Sequence, residues 1–313
     1  MASIQRPYFR SMLAQSLYDR MVKEQHLRNF DRSQWYRCDL DRVTADLRDL
    51  YIAFDCDKDT NAFLETCYEK SDWFFVQVFH SLAKAFLCWF MTQTSINGFL
   101  GRGSTFVFSQ SQFLQLLGVA SDWHSEALLD LGAGDGSVTQ VMASLFDTVH
   151  VTEISSVMQR ILTKKGYRIL DVNKWAEESK KYDVVSCLNL LDRCDKPITL
   201  LNQIKSKLKP TTGRLIIALV LPLSQYVEVG NPTHQPVETL PIEGKTIEDQ
   251  FNSCVQMIFE PAGYEIIRWT VLPYLSEGDV EQSFYWLTDI VFTLKLKSLQ
   301  EEPAKKHNLH NEL

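Results

Sequence analysis

The sequence predicts an α/β protein: a Rossmann-like, mostly parallel sheet of seven strands that ends in an antiparallel hairpin, with a helical cap in front of it. Three observations carry that expectation. The apolar run at residues 128–131 leads into the glycine-rich turn Gly132-Ala133-Gly134-Asp135-Gly136, and a helix-prone stretch follows. Strand-like and helix-like segments then alternate as far as Leu221, the pattern of parallel strands joined by crossover helices. Finally, strand-like segments at 264–272 and 284–294 follow one another with no helix between them, which suits a hairpin.

Taken in order, residues 1–33 are polar and helix-prone, and read as a loosely attached, flexible extension. Arg6 and Arg10 precede the first acid, Asp19, a weak transit-like character without the apolar core of a secretory signal. Residues 34–110 read as a helical cap with a cofactor-closing loop, and Leu40, Val43, Leu47, Leu50 and Tyr51 recur at helical spacing. The stretch 73–91 is membrane-like, but Gln77, His80, Ser81 and Lys84 interrupt it. A lysine at a bilayer centre costs about 3 kcal/mol, so the stretch reads as a buried or interfacial helix. No integral span is expected, which leaves peripheral association open. Residues 94–104, with Gly98, Gly101, Arg102 and Gly103, read as a glycine-punctuated loop placed to close over a ligand, with Arg102 facing the cofactor.

The sheet domain is expected over 111–296. Its first strand ends at Leu131, and the second, 148–153, ends in Glu153 with Ser155 as a helix N-cap behind it. A short third strand covers 167–170 and a fourth 182–188; Asp195 with Pro197 opens the next helix. The fifth strand, 213–221, stops at Pro222, and a polar, proline-rich insert covers 224–243. A helix over 247–262 ends at Gly263, ahead of the two terminal strands. The charged tail, 297–313, reads as disordered. His307 and His310 in it have no further ligand nearby, so no metal site is expected.

Composition narrows the function classes. With 313 residues, 45% hydrophobic and 23% charged, the chain can bury a sizeable core. A net charge of -7 gives no global basic field, which disfavours nucleic acid as a partner. The seven cysteines are odd in number and scattered, with no C-x-x-C, so a disulfide framework or zinc site is disfavoured and a soluble protein of a reducing compartment is the simpler reading.

The turn itself indicates the ligand. Its spacing is G-x-G-x-G, whereas the dinucleotide fingerprint is G-x-G-x-x-G. The backbone of Gly132, Ala133 and Gly134 is placed to approach a cofactor closely, ahead of the exposed N–H groups of a helix start. Asp130, two positions before the first glycine, would repel a pyrophosphate but suits a cation. S-adenosyl-L-methionine (SAM) carries a sulfonium and an ammonium. Glu153, about 20 residues beyond the glycines, stands where doubly wound folds hold ribose hydroxyls. Either feature alone is equally a tight strand-to-helix turn or a solvated acid; in register they indicate a nucleotide-type cofactor. Five β-α units and a terminal hairpin are the architecture of class I SAM-dependent methyltransferases.

Several segments resemble the DREV family: Trp35-Tyr36, T-S-I-N-G-F-L-G-R-G-S-T-F-V-F-S from Thr94, L-L-D-L-G-A-G-D-G, S-C-L-N-L-L-D-R-C-D from Ser186 and L-P-Y-L-S-E-G-D from Leu272. The resemblance extends from about Trp35 to the last strand and leaves out the first 30 residues and the tail. It implies a protein-histidine N-pros-methyltransferase, which moves a methyl group from SAM to the Nπ (N1) atom and releases S-adenosyl-L-homocysteine. The implied partners are proteins with His-x-His motifs in which x is small. This chain contains no such motif. Association with endoplasmic reticulum or mitochondria is also implied.

In this fold the loop after the fourth strand, here Asn189 to Asp195, lies beside the transferred methyl group. Asn189 can bond the cofactor's amino-acid portion or the target ring. Asp192 can accept Nτ–H, leave the Nπ lone pair free and stabilise the imidazolium, as a buried aspartate orients a triad histidine. On pattern alone Asp192 and Asp195 are equally helix-start residues; the resemblance assigns Asp192 to catalysis. It also brings forward Tyr274, beside cofactor and substrate, and Tyr285 in the final strand, where an aromatic is otherwise core. Glu277 and Asp279 form an acidic loop suited to a partly cationic, histidine-rich substrate. Two other readings compete: a class I methyltransferase for a different acceptor, and a non-catalytic SAM-binding scaffold. The intact turn, Asp130 and Glu153 oppose the scaffold.

Overall fold

The structure, a computed structural model, describes residues 11–89, 92–228 and 233–297. Leucine- and valine-rich runs without polar alternation require cover on both faces, and they form the centre of one sheet. Its strands are β1 (Thr105–Phe106), β2 (Ser125–Leu131), β3 (Phe146–Thr152), β4 (Arg168–Leu170), β5 (Val184–Leu188), β6 (Arg214–Val220), β7 (Tyr264–Glu277) and β8 (Phe284–Leu296). They lie in the order β1-β7-β8-β6-β5-β2-β3-β4. Strands β2 to β6 pair in parallel, while β8 enters antiparallel between β6 and β7. This is the class I methyltransferase arrangement. The chain leaves β2 for β3 on one side and returns to β5 on the other, so the carboxyl ends of β2 and β5 flank the switch point where ligands bind in such sheets.

The helices are α1 (Met12–Asn29), α2 (Ala45–Arg48), α3 (Lys58–Ser71), α4 (Phe74–Leu87), α5 (Gln93–Leu100), α6 (Gln110–Leu117), α7 (Ser137–Ala143), α8 (Ser156–Lys164), α9 (Pro197–Lys205) and α10 (Ile247–Cys254). A π-helical turn, Val255–Phe259, continues α10. Alternate residues of the strands serve opposite cores. Leu129, Val185 and Ile217 pack with Leu201 and Phe251 on one face, and Leu128, Val184 and Ile216 with Phe113 and Met142 on the other.

The structure departs from the sequence expectation in several places. An eighth strand, β1, pairs antiparallel with Leu275 and Ser276 of β7; two residues are too short to show a period. The expected closing loop is a helix for most of its length. Thr92 caps α5, and the chain turns only at Gly101, which adopts φ 63°. Gly98 lies inside this helix because α8 packs against it, where a Cβ would stand 2.7 Å from Met158 Sδ. The helix expected over 247–262 is α10 plus the π-helical turn.

The segment before the sheet divides between both of its faces. Val43 and Leu47 join one core and Trp35, Tyr36 and Leu64 the other. Trp269 of β7 anchors it, because its indole Nε1 donates to Leu47 O at 2.7 Å while its ring stacks on Phe251 at 4.0 Å. Residues 12–29 form α1, which docks on the β7–β8 turn: Glu24 accepts from Ser283 N and Oγ at 2.7 and 2.6 Å. The readings placed on residues 1–10 and 298–313 lie outside the described residues. Along α4 and just beyond it, Trp73, Phe79, Leu82, Phe86 and Trp89 are between 64% and 82% exposed. The buried polar residue is Gln77, whose amide donates to Lys70 O at 2.9 Å. Among the described residues no helix is long and apolar enough to cross a membrane.

Candidate active site

The turn after β2 is built on left-handed backbone. Gly132 has φ 73° and Gly134 φ 57°, a region where a Cβ meets the following carbonyl. The N–H groups of Gly132 and Ala133 both donate to Thr152 O at 3.0 Å. Gly134 N donates to Glu153 Oε2 at 3.0 Å. A Cβ on Gly132 would stand 3.1 Å from Leu190 Cδ1, whereas one on Gly134 would meet no atom within 4 Å. The turn is therefore walled at one glycine and open at the other. That open face leaves room for a ligand.

Glu153 is buried and joins this turn to the next helix, because its Oε1 accepts from Ser155 N at 2.7 Å. Each carboxylate oxygen keeps a second lone pair for a ribose hydroxyl. Glu153→Ala removes both functions, and calorimetry is expected to show SAM binding weakened by about 1–3 kcal/mol.

Asp130 has a different place from the one expected. Its Oδ1 accepts from Ser186 Oγ and its Oδ2 from Thr139 Oγ1, both at 2.6 Å. The carboxyl group ties β2 to β5 and α7 beneath the turn and does not face a cation. Burial raises its pKa to about 6 in spite of these two bonds.

Arg102 and Glu277 also differ from expectation, since they pair with each other. Arg102 Nε lies 2.5 Å from Glu277 Oε1, and Lys70 Nζ lies 3.1 Å from Oε2. The Glu277 side chain is 2% exposed, so this acid is internally neutralised and offers nothing to a cationic substrate. Arg102 joins the segment after α5 to the β7–β8 turn, also donating to Gly278 O at 2.8 Å. Asp279 is engaged as well, accepting from Tyr285 Oη at 3.0 Å and from Glu281 N at 2.9 Å.

Three acceptor groups converge where β5 ends. Asn189 adopts φ 52°, which asparagine tolerates better than most residues. Its N–H donates to Ala218 O and its Nδ2 to Asp289 Oδ2, both at 2.9 Å. Asp192 lies one short turn further on, with Arg193 Nε 3.7 Å from its Oδ2. Asn189 Oδ1, Asp192 Oδ1 and Asp289 Oδ1 are buried without a hydrogen-bond partner among the described residues. Burial raises the pKa of Asp192. Asp289 rises to about 8, first through burial and also through the nearby Asp192 charge. Tyr274 rises to about 12 through burial and then Asp289, so it belongs to the same group. Buried acceptors of this kind call for a ligand that brings N–H donors and positive charge. A nitrogen acceptor that turns cationic meets that requirement, while the open Gly134 turn and the Glu153 carboxylate beside it fit the cofactor.

Asp289 was missed by sequence reasoning. The available signal was one acid at the start of the apolar centre of β8, Asp289-Ile290-Val291-Phe292. Its raised pKa has a stability consequence. The folded state binds this proton more tightly than the unfolded chain, so the contribution is full below about pH 4 and is lost as pH rises towards 8. Asp289→Asn keeps the shape without the ionisation. Thermal unfolding is expected to show a shallower fall in Tm between pH 5 and 8, with about 1–3 kcal/mol gained at the upper end.

Tyr285 shares a face of β8 with Leu287 and Asp289, opposite Ser276, Tyr274 and Leu272 of β7. Along this face, exposure drops from 37% at Tyr285 and 47% at Leu287 to 0% at Asp289, so it descends from the surface to the buried acceptors. The polar insert lies over the other side. Tyr226 N donates to Asp192 O at 2.9 Å, and Val237 N to Asp195 Oδ1 at 2.9 Å. Asp195 thus pins the insert, and α9 starts at Pro197 without a side-chain cap. Glu228 joins the insert to α5, accepting from Thr94 Oγ1 at 2.6 Å.

A family model described as DREV methyltransferase matches residues 35–296, which include the whole sheet and all of these groups. The chain belongs to the DREV methyltransferase family. Solved structures similar to this DREV methyltransferase include magnesium protoporphyrin IX methyltransferase from Synechocystis, at 17% identity and TM-score 0.39, covering 60% of this chain and 78% of that one. An N-methyltransferase from Bradyrhizobium japonicum has 12% identity and TM-score 0.38, covering 60% and 85%. Precorrin-6y C5,15-methyltransferase from Geobacter metallireducens has 15% identity and TM-score 0.37, covering 60% and 87%. Similarity this partial says nothing about the acceptor.

Proposed function

We propose that this DREV methyltransferase methylates the Nπ (pros) atom of histidine in protein substrates, preferring His-x-His motifs with a small residue at x. It is a class I enzyme whose cofactor is S-adenosyl-L-methionine. The observation that carries the choice of acceptor is the cluster of buried, unpaired oxygens on Asn189, Asp192 and Asp289. Such a site favours an acceptor that carries an N–H and becomes cationic.

In this reading the backbone of Gly132, Ala133 and Gly134 and the carboxylate of Glu153 hold the cofactor. When bound, SAM supplies a methyl carbon activated by its sulfonium; the S–C bond breaks as the Nπ–C bond forms, leaving S-adenosyl-L-homocysteine. Histidine has an ordinary pKa near 6.5, so it reaches the site as a neutral nucleophile at about pH 7. What remains is to select the tautomer and to orient the ring. Asp192 accepts Nτ–H, which leaves the Nπ lone pair free, and its charge stabilises the imidazolium as it forms. Tyr274 walls the ring beside Asp289. The face leading in past Tyr285 and Leu287 receives the peptide, with Tyr285 held by Asp279.

The sharpest test is which nitrogen carries the methyl group. Nτ is farther from the peptide backbone, so an unselective site modifies mainly Nτ. In an extended peptide, side chains two residues apart point the same way, so the second histidine of His-x-His can fill a neighbouring pocket. Amino-acid analysis of a hydrolysed His-Ala-His peptide is expected to give Nπ-methylhistidine, with activity lost when either histidine becomes alanine. A product that is mainly Nτ-methylhistidine, or full activity on a single-histidine peptide, would return the enzyme to the class of methyltransferases for other acceptors.

A further inference from the structure

We infer that Asp289 is a positioning residue: by receiving the Asn189 side-chain N–H, it turns the amide oxygen of Asn189 towards the methyl acceptor. The inference deepens the proposed function, on which the identity of that acceptor rests. The amide of Asn189 has two ends of opposite polarity, and a pocket that meets the N–H end would repel an N–H-bearing acceptor. What decides the orientation is the partner. A carboxylate only accepts, so Asp289 Oδ2, 2.9 Å from Nδ2, takes the N–H and leaves Oδ1 unpaired. Against the ionised carboxylate a flipped amide would set oxygen against oxygen. An acceptor that gains positive charge favours the ionised carboxylate, so this orientation is held during turnover.

Both residues are fixed from outside the pair. Asp289 sits within β8, paired with Val220 of β6 on one side and Leu272 of β7 on the other. Asn189 is held by its left-handed backbone and its bond to Ala218 O. Asp192 Oδ1 is the second unpaired acceptor on the same loop. With Asn189 held this way, the loop offers its ligand acceptors and no side-chain donor from Asn189. That polarity selects a nitrogen acceptor bearing an N–H over a carboxylate.

The test is a double-variant cycle on the intact enzyme with the His-Ala-His peptide. Asp289→Leu and Asn189→Ala are each expected to lower kcat by about 10–100-fold with SAM affinity unchanged. The double variant is expected to be no slower than the slower single variant, because Asp289 acts through Asn189. Effects that multiply in the double variant overturn the inference, as does loss of SAM affinity together with turnover. If circular dichroism shows Asp289→Leu to be misfolded, Asp289→Val, which also lacks an acceptor, replaces it in the same cycle under the same criterion.

A second measurement needs no substrate. Above about pH 8, where Asp289 is ionised, the side-chain amide signal of Asn189, identified in nitrogen-15 NMR by its loss in Asn189→Ala, is expected to exchange its protons more slowly in the wild type than in Asp289→Leu. Equal exchange in the two proteins overturns the inference. Inactivity of the wild type on the peptide overturns the proposed acceptor instead, and the NMR result still decides the role of Asp289.

Discussion

Replacing Asp192 by asparagine is expected to lower turnover on a His-Ala-His peptide by about 100- to 1000-fold, with SAM affinity essentially unchanged. The substitution keeps the size and planarity of the side chain and removes its charge. In the wild type the carboxylate is buried, and one of its oxygens has no partner among the described residues. A negative charge held away from water stabilises a developing imidazolium far more than a solvated one does. The asparagine amide can still accept Nτ–H in one orientation but cannot neutralise the cation, so the cost falls on the chemical step. Calorimetry with SAM and single-turnover kinetics separate the two. Near-normal turnover in Asp192→Asn would reduce Asp192 to a residue that merely shapes the loop before α9.

The other large effect is expected at Gly134. Gly134→Leu should raise the dissociation constant for SAM by about 100-fold or more, since the side chain would enter the space where the cofactor backbone contact is made. The surroundings make this substitution informative, because a Cβ at Gly134 meets no protein atom within 4 Å. A clash with the protein cannot then explain lost binding. The remaining confounder is backbone strain of about 1–2 kcal/mol for a side chain in the left-handed region. Gly166 controls for it, having φ 85° and equally open surroundings in the turn between α8 and β4, whose Lys165 and Tyr167 lie against Gly136 and not against Gly134. Gly166→Leu should lower Tm to a similar degree and leave SAM binding intact. Equal losses of binding in both variants would assign the effect to strain and remove the cofactor contact.

The parallel sheet, the glycine turn and the placement of Glu153 were legible in the sequence because each is a local signal. A strand covered on both faces must be largely apolar, as residues 127–129 and 215–219 are. A left-handed turn needs glycine, and a carboxylate at the end of the neighbouring parallel strand falls beside that turn once the strands pair in register. The terminal hairpin was legible for the same reason, since no helix separates its strands.

The electrostatic state of each acid was decided only by the tertiary structure. Asp130, Glu277 and Asp289 look alike in the sequence, as single carboxylates near the ends or within apolar strands. Folding gives Asp130 two hydroxyl donors, Ser186 and Thr139. It gives Glu277 two cations, Arg102 and Lys70. It gives Asp289 one amide, from Asn189, 100 positions away in the chain. Segment composition indicates which strands are buried, although the apolar α4, with Phe79, Leu82 and Phe86 exposed, shows that it does not fix burial by itself. The charge and hydrogen-bonding state of a buried group depends instead on which distant residue the topology places within about 3 Å of it, and no local pattern carries that information.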